Sequence, residues 1–205
     1  DSGRLGSTAD AALVMAPTHT RQRQTGITLI ELMVATAILG ILVAIGVPGM
    51  RGMRESEAVR SHVNAFVGSL RYARSEAIRN RAKVVICPSN NSESANPTCS
   101  GGITDPWELG WIIFVNRDGD TNHEYDSDKD TLLRVQGPVN SSGGIIEVEG
   151  GAPNKLVYRS TGILLTGGAS AFTFDAKSKD TSQQKRVCVS MQGRVRLSES
   201  RTACT

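Results

Sequence analysis

Two arginines near the C-terminal end, Arg194 and Arg196, have the spacing that most directly indicates chemistry. On a β-strand they would share one face about 7 Å apart, because alternate side chains of a strand point the same way. A guanidinium group binds phosphate oxygens through paired N–H donors. The pattern therefore suits two arginines that each hold one phosphate of a nucleic-acid backbone.

The residues around these arginines are basic as well. Between residues 177 and 201 there are seven bases and two acids, a net charge of +5, whereas residues 105–130 have a net charge of −6. The seven bases are Lys177, Lys179, Lys185, Arg186, Arg194, Arg196 and Arg201. The total charge of +3 thus conceals a polarised domain. Alternatives are an ordinary solvated basic surface, or arginines that pair with the acidic loop of a neighbouring subunit.

Glu31 is the second residue that stands out, as the one charge in an apolar run at residues 27–47. Those 21 residues match the roughly 20 needed to cross a bilayer. Basic residues precede the run, which predicts a cytoplasmic N-terminus and a translocated C-terminal part. A carboxylate in hydrocarbon is costly without a partner. If the chain is cut after Gly26, the new α-amine of Ile27 in a neighbouring subunit would suit Glu31.

No arrangement of residues indicates an enzyme. After Gly26 the only histidines are His62 and His123, and no serine or cysteine has an evident His and Asp partner set. The glycine-rich patterns of nucleotide-binding loops are absent. We therefore predict no catalytic residue and no cofactor.

The acidic segment invites a calcium interpretation, because Asp118, Asp120 and Asn122 supply oxygen atoms at alternate positions. An EF-hand loop would have glycine where His123 stands, and a glutamate at its twelfth position, which is missing. An acidic hairpin loop without metal is favoured, and calcium in a different geometry stays open.

Four cysteines form two local pairs, Cys87 with Cys99 and Cys188 with Cys204. Neither pair has the C-x-x-C spacing of a zinc or thioredoxin site. A domain outside the cytoplasm favours two disulfides, with free buried thiols as the alternative.

The elements that position these residues follow from periodicity. Pro48 and Gly49 predict a kink. Beyond them an apolar stripe at helical spacing predicts a helix packed under a sheet, with Arg60, Arg71, Arg74 and Arg79 on the opposite face. The stripe comprises Val59, Val63, Phe66, Val67, Leu70, Ala73 and Ala77. After Lys83, short runs separated by turn residues predict an α+β fold with antiparallel sheets. The predicted strands are 84–87, 111–115, 131–135, 145–148, 156–158, 171–174, 186–191 and 194–197.

Residues 26–32, Gly-Ile-Thr-Leu-Ile-Glu-Leu, resemble the class III signal of type IV pilins and type II secretion pseudopilins, which usually have phenylalanine where this chain has Ile27. The resemblance implies that a prepilin peptidase removes a leader at 1–26 and methylates Ile27, and that Glu31 pairs with a neighbour's N-terminus during assembly. It also implies a transmembrane and filament-core helix at 27–47, an amphipathic helix half at 48–83 and a β-rich globular pilin domain at 84–205. The chain would be a single-pass inner-membrane protein with a periplasmic C-terminal domain, assembled with other pilins into an extracellular pilus.

The globular part resembles the minor pilins of the FimT, FimU and GspH type, and FimT most. The matching residues are 85–87, Trp107, 110–114, 116–120, 132–134 and 193–196. The resemblance implies the type IV pilin fold, a long kinked N-terminal helix on antiparallel sheets with a C-terminal disulfide-bonded loop. In FimT-like minor pilins a Gly-Arg-x-Arg motif, matched by Gly193, Arg194 and Arg196, is implicated in DNA contact during natural transformation. We therefore expect sequence-independent binding of duplex DNA. The alternatives are a FimU-like subunit that primes pilus assembly and a GspH-like secretion pseudopilin.

Overall fold

The computed structural model describes residues 26–100, 106–139, 146–149, 154–166, 170–175, 181–199 and 204. The chain forms two compact units, which divide after Ala44. Lys177, Lys179 and Arg201 of the predicted basic patch lie outside the described residues, as does the proposed leader before Gly26.

One helix, α1, begins at Leu29 and ends at Asn80. It does not end at Pro48 and Gly49, where the sequence predicts a kink. A proline within a helix removes one backbone donor and its ring crowds the carbonyl group one turn earlier, but a helix can continue past it. In the N-terminal unit the apolar side chains of α1 are exposed, and residues Leu29–Gly46 are long and apolar enough to cross a membrane, with a mean hydropathy of 2.4.

The second unit contains two four-stranded antiparallel sheets. The strands are β1 (Lys83–Pro88), β2 (Trp111–Asn116), β3 (Thr131–Gln136), β4 (Ile146–Glu149), β5 (Leu156–Tyr158), β6 (Ser170–Phe174), β7 (Lys185–Val189) and β8 (Val195–Glu199). The first sheet has the order β3-β2-β1-β5 and the second the order β4-β6-β7-β8. All eight predicted strands are present, with ends that differ from the prediction by at most two residues.

The core joins α1 to both sheets through aromatic side chains. Every residue of the predicted apolar stripe is buried, which confirms that prediction. Phe66 lies at the centre, with its ring centroid 5.3 Å from Trp107, 5.4 Å from Trp111 of the first sheet, and 4.7 Å from Phe172 of the second. Because the side chain of Phe66 contacts both sheets, α1 fixes the position of one sheet relative to the other.

Both cysteine pairs are disulfide-bonded, Cys87 with Cys99 and Cys188 with Cys204. Cys87 lies in β1 and Cys188 in β7, so each bridge attaches a loop to a strand of a different sheet.

Candidate nucleic-acid interface

The start of α1 gives Glu31 a partner within its own chain. The Glu31 N–H donates to Thr28 Oγ1 at 3.3 Å, and the Thr28 N–H donates to Glu31 Oε2 at 3.5 Å. This reciprocal pair is a capping box, which satisfies two backbone donors that a helix start leaves without partners. The Thr-x-x-Glu spacing of Thr28 and Glu31 is the sequence signal that identifies this motif.

The hairpin between β7 and β8 holds the two predicted phosphate-binding arginines. Ser190 N–H donates to the Arg194 carbonyl oxygen at 2.9 Å, and Gly193 N–H donates to the Ser190 carbonyl oxygen at 2.8 Å. Gly193 has a φ of 71°. This is a three-residue hairpin loop whose last residue adopts the left-handed conformation that glycine tolerates.

Gly193 is also pressed against other backbone. A Cβ at this position would overlap the carbonyl oxygen of Gly162 and lie 3.0 Å from Tyr158 Cε1. Gly162 in turn belongs to the loop after β5, and a Cβ there would lie 2.9 Å from Ile78 Cδ1 of α1. Leu164 N–H donates to the Met191 carbonyl oxygen at 2.9 Å, which ties the two loops together. The arginines after Gly193 are therefore held by close packing of two loops on α1.

Arg194 and Arg196 are both exposed, on one face of the hairpin. Arg196 pairs with Cys188 across the strands, and Ser198 pairs with Arg186, so Arg186 shares this face. Lys185 alternates to the other face and lines a separate cavity of about 290 Å³ together with Arg60 of α1. The Cys188–Cys204 bridge lies beside Arg194 and Arg196 in a cavity of about 200 Å³.

Two apolar residues of this hairpin are exposed. Leu197, which strand alternation predicts to point inward, is 58% exposed, and Met191 is 48% exposed. Met191 lies in the turn because β7 ends at Val189. Leu197 lies on β8, the edge strand of its sheet, where within the described chain it is not packed as closely as Val187 opposite.

The structure adds two arginines of α1 to the site. Arg71 and Arg74 line a groove of about 460 Å³ together with Ser75, Ile78 and residues 193–196; we call it the C-terminal groove. The sequence placed Arg71 and Arg74 on a solvent-facing helix surface. No local signal identified them, because the opposite wall of the groove comes from a loop more than a hundred residues away in the chain.

Four arginines line the C-terminal groove, and Arg74 is the most enclosed of them. Its Nε is buried and has no hydrogen-bond partner among the described residues. It lies near Tyr158, whose hydroxyl has a pKa raised by burial, a rise that the positive charge of Arg74 partly offsets. Arg74 therefore lines the groove and also has a buried donor that the described residues around it do not satisfy.

Within the described part of the chain, none of the four guanidiniums of this groove forms an ion pair with a carboxylate. Their charges are therefore not compensated locally. Four like charges on the walls of one groove raise the positive potential inside it.

The carboxylates of the acidic segment, in contrast, are engaged with their own loop. Asp120 accepts hydrogen bonds from the Asn116 side chain and from the N–H groups of His123 (3.1 Å) and Glu124 (3.2 Å). Burial acts to raise the pKa of Asp120, but these hydrogen bonds and the nearby His123 outweigh it and lower that pKa below its ordinary value. Among the described residues, no group of three or more His, Cys, Asp or Glu side chains could hold a metal ion. The hydrogen bonds support an acidic hairpin loop.

Comparison with known proteins agrees with this architecture. Residues 62–193 match the family described as type II transport protein GspH, and residues 21–47 match the prokaryotic N-terminal methylation motif. No curated protein matches the chain.

Among solved structures, the chain is similar to the type IV minor pilin FimU of Pseudomonas aeruginosa (strain PAO1), with 18% identity, a TM-score of 0.53 and coverage of 71% of this chain and 92% of that one. It is also similar to the minor pseudopilin EpsH from the Type 2 Secretion System of Vibrio cholerae, with 17% identity, a TM-score of 0.46 and coverage of 69% and 96%. At such identities the likeness to FimU concerns the fold alone.

Proposed function

Because this chain belongs to the GspH family and has the fold of a type IV pilin-like minor pilin, we propose that it binds duplex DNA without sequence specificity, for DNA uptake in natural transformation. Filament assembly with other pilins is what the family implies. The DNA-binding surface is the C-terminal groove, and its ligands for phosphate are Arg71, Arg74, Arg194 and Arg196. The protein then acts as a binding subunit and needs no catalytic residue or cofactor.

The observation that supports this proposal most is the convergence on one groove of four guanidiniums that form no ion pair with a carboxylate of the described residues. Phosphate contacts supply most of the affinity in sequence-independent DNA binding. No aromatic residue lies between Ala176 and Thr205, so base stacking contributes little in this segment. Duplex DNA should therefore bind at least as well as single strands.

The proposal is tested by titrating labelled duplexes of unrelated sequence with the full chain in phosphatidylcholine nanodiscs, whose zwitterionic surface neither attracts nor repels DNA. The four phosphate contacts of the C-terminal groove contribute about −3.6 to the slope of log K against log salt. Equal affinity for all sequences, with a slope at least this steep, is the expected result. An absence of binding even at about 50 mM salt contradicts the proposal.

For the N-terminal part we propose processing and assembly as in other chains with this motif. A prepilin peptidase cuts after Gly26 and the new N-terminus at Ile27 is methylated, in keeping with the methylation motif at residues 21–47. Residues 27–47 then anchor the subunit in the inner membrane with residues 84–205 in the periplasm. The apolar run of α1 supports this arrangement.

Glu31 provides a test that separates helix capping from assembly. Glutamine can replace glutamate in a capping box but cannot form an ion pair with a neighbour's N-terminus. We expect both Glu31→Gln and Glu31→Ala to reduce incorporation into sheared surface filaments by about tenfold or more, the effect of losing roughly 1.4 kcal/mol of subunit interaction. Quantitative immunoblotting of the sheared and membrane fractions measures it. Normal incorporation of Glu31→Gln would show that Glu31 acts only as a cap.

A second candidate function is a structural subunit that primes pilus assembly. The exposed Met191 and Leu197 on and beside the edge strand β8 favour it, since apolar side chains of this kind suit contact with another protein. In that case the protein does not bind DNA at low salt, and its deletion removes surface pili. A secretion pseudopilin is the third candidate, which predicts that deletion impairs protein secretion instead.

A further inference from the structure

A second groove, with a volume of about 620 Å³, is lined by four bases that the C-terminal groove does not use. These are Arg81, Lys83, Arg117 and Arg159, and we call the cavity the strand-end groove. They come from three separate segments: the turn after α1 and the start of β1, the residue after β2, and the residue after β5.

The strand register explains why these segments meet. β1 runs antiparallel to both β2 and β5, with Lys83 opposite Asn116 and Val84 opposite Tyr158. The start of β1 and the ends of β2 and β5 therefore lie at one edge of the sheet. The topology brings together bases that are far apart in the chain.

Arg81 shows an independent feature, a left-handed backbone conformation with a φ of 51°. Ala82 N–H donates to the Ala77 carbonyl oxygen at 3.3 Å. This hydrogen bond is typical of a helix C-terminus that is followed by one left-handed residue, here Arg81. Glycine is the usual residue there, because a side chain strains this conformation. Backbone strain of this kind clusters at functional sites, which draws attention to Arg81 in this groove.

None of the four bases forms an ion pair with a carboxylate within the described chain. Arg117 is held in place, since its Nε donates to Thr131 Oγ1 at 3.0 Å. The acids nearest in sequence, Asp118 and Asp120, accept hydrogen bonds from backbone N–H groups of their own loop. The groove is thus basic, with an acidic loop beside it.

One hairpin loop connects this groove to the C-terminal groove. Arg159 N–H donates to the Ile163 carbonyl oxygen and Gly162 N–H to the Arg159 carbonyl oxygen, both at 2.8 Å, which closes the loop 160–162. Arg159 and Ser160 line the strand-end groove, whereas Gly162 contacts Arg74 and Gly193 of the C-terminal groove. The two basic grooves are neighbours across this single loop.

We propose that the strand-end groove continues the nucleic-acid interface, so that one duplex is held by its phosphates in both grooves across the loop 160–162. This rests on the DNA binding proposed above. It assigns Arg81, Lys83, Arg117 and Arg159 to backbone contacts, which carry no sequence information.

The test uses the full chain in phosphatidylcholine nanodiscs and a labelled duplex, with an Arg81→Gly/Arg159→Ala variant. Loss of two phosphate contacts should make the salt slope shallower by about 1.8 and weaken binding about tenfold or more at low salt. Arg81→Gly by itself should leave the melting temperature equal or higher, because glycine suits the left-handed position. Weaker binding without a lower melting temperature would support direct contact with DNA, because a merely structural role would lower the stability as well.

Two further variants sharpen the outcome. Asp118→Asn removes a negative charge beside the groove and should strengthen binding, whereas Arg54→Ala/Arg134→Ala removes two exposed arginines elsewhere and should leave binding close to wild type. Wild-type affinity and slope for Arg81→Gly/Arg159→Ala, together with weakened binding of Arg194→Ala/Arg196→Ala, overturn this inference alone. If the wild-type protein does not bind DNA, the proposed function fails and this inference fails with it.

Discussion

An Arg194→Ala/Arg196→Ala variant should bind duplex DNA about 30-fold more weakly than the wild-type protein at low salt. Each lost phosphate contact is a charge-assisted hydrogen bond at an exposed site, for which about 1 kcal/mol is reasonable, and about 2 kcal/mol corresponds to this factor. The slope of log K against log salt should become shallower by about 1.8, because two fewer counterions are released. Fluorescence anisotropy across about 50 to 200 mM salt measures both quantities.

Two matched variants distinguish phosphate contact from net charge. Arg54→Ala/Arg134→Ala removes the same charge from exposed sites outside both grooves and should change affinity little. Arg194→Lys/Arg196→Lys keeps the charge but loses the paired donors of the guanidinium, so its affinity should lie between those of the wild type and the alanine variant. Equal affinities for wild type and the alanine variant would remove these two residues from the proposed interface.

Gly193→Ala should lower the free energy of unfolding by about 3 kcal/mol and weaken DNA binding as well. A left-handed conformation costs an alanine roughly 1–2 kcal/mol, and relief of a tight contact typically costs about 1–3 kcal/mol more. The contact is with the Gly162 carbonyl oxygen and the Tyr158 ring, so relief must shift the hairpin or the loop 160–162, and both lie beside Arg74. Thermal or urea unfolding gives the stability, and the DNA titration gives the effect on the groove.

Gly119→Ala is the control for this variant. Gly119 has a φ of 72°, nearly that of Gly193, but a Cβ there would have no atom within 4 Å. Gly119→Ala should therefore lower the free energy of unfolding only by the cost of the left-handed conformation, about 1–2 kcal/mol. If Gly193→Ala and Gly119→Ala lower the free energy of unfolding equally, the packing of Gly193 against Gly162 contributes nothing to stability.

The fold was largely predictable from the sequence because its signals are local. The apolar stripe from Val59 to Ala77 has helical periodicity, and every member is buried. The strands were identifiable as short runs between turn residues. Errors arose at the ends of β7 and β8, where Met191 continues an apolar alternation but the chain has already turned. Alternation alone cannot show where a hairpin reverses.

The candidate site was predictable only in part, for a physical reason. Arg194 and Arg196 follow a glycine on one strand, so their proximity is a local property. Arg71 and Arg74 join them only because the chain folds Gly193 against Gly162, and Gly162 against Ile78. The bases of the strand-end groove meet through strand pairing between distant segments. Neither arrangement has a signal within a short window of sequence.

The position of β8 at the edge of its sheet has a consequence for self-association of the protein. Within the described chain no strand pairs with its outer side, so its unpaired backbone groups offer a template to a second copy. Two such strands brought together would place arginines near arginines, and like charges on facing strands repel. This repulsion opposes the pairing of two copies through β8. An alanine variant that binds less DNA should also self-associate more readily.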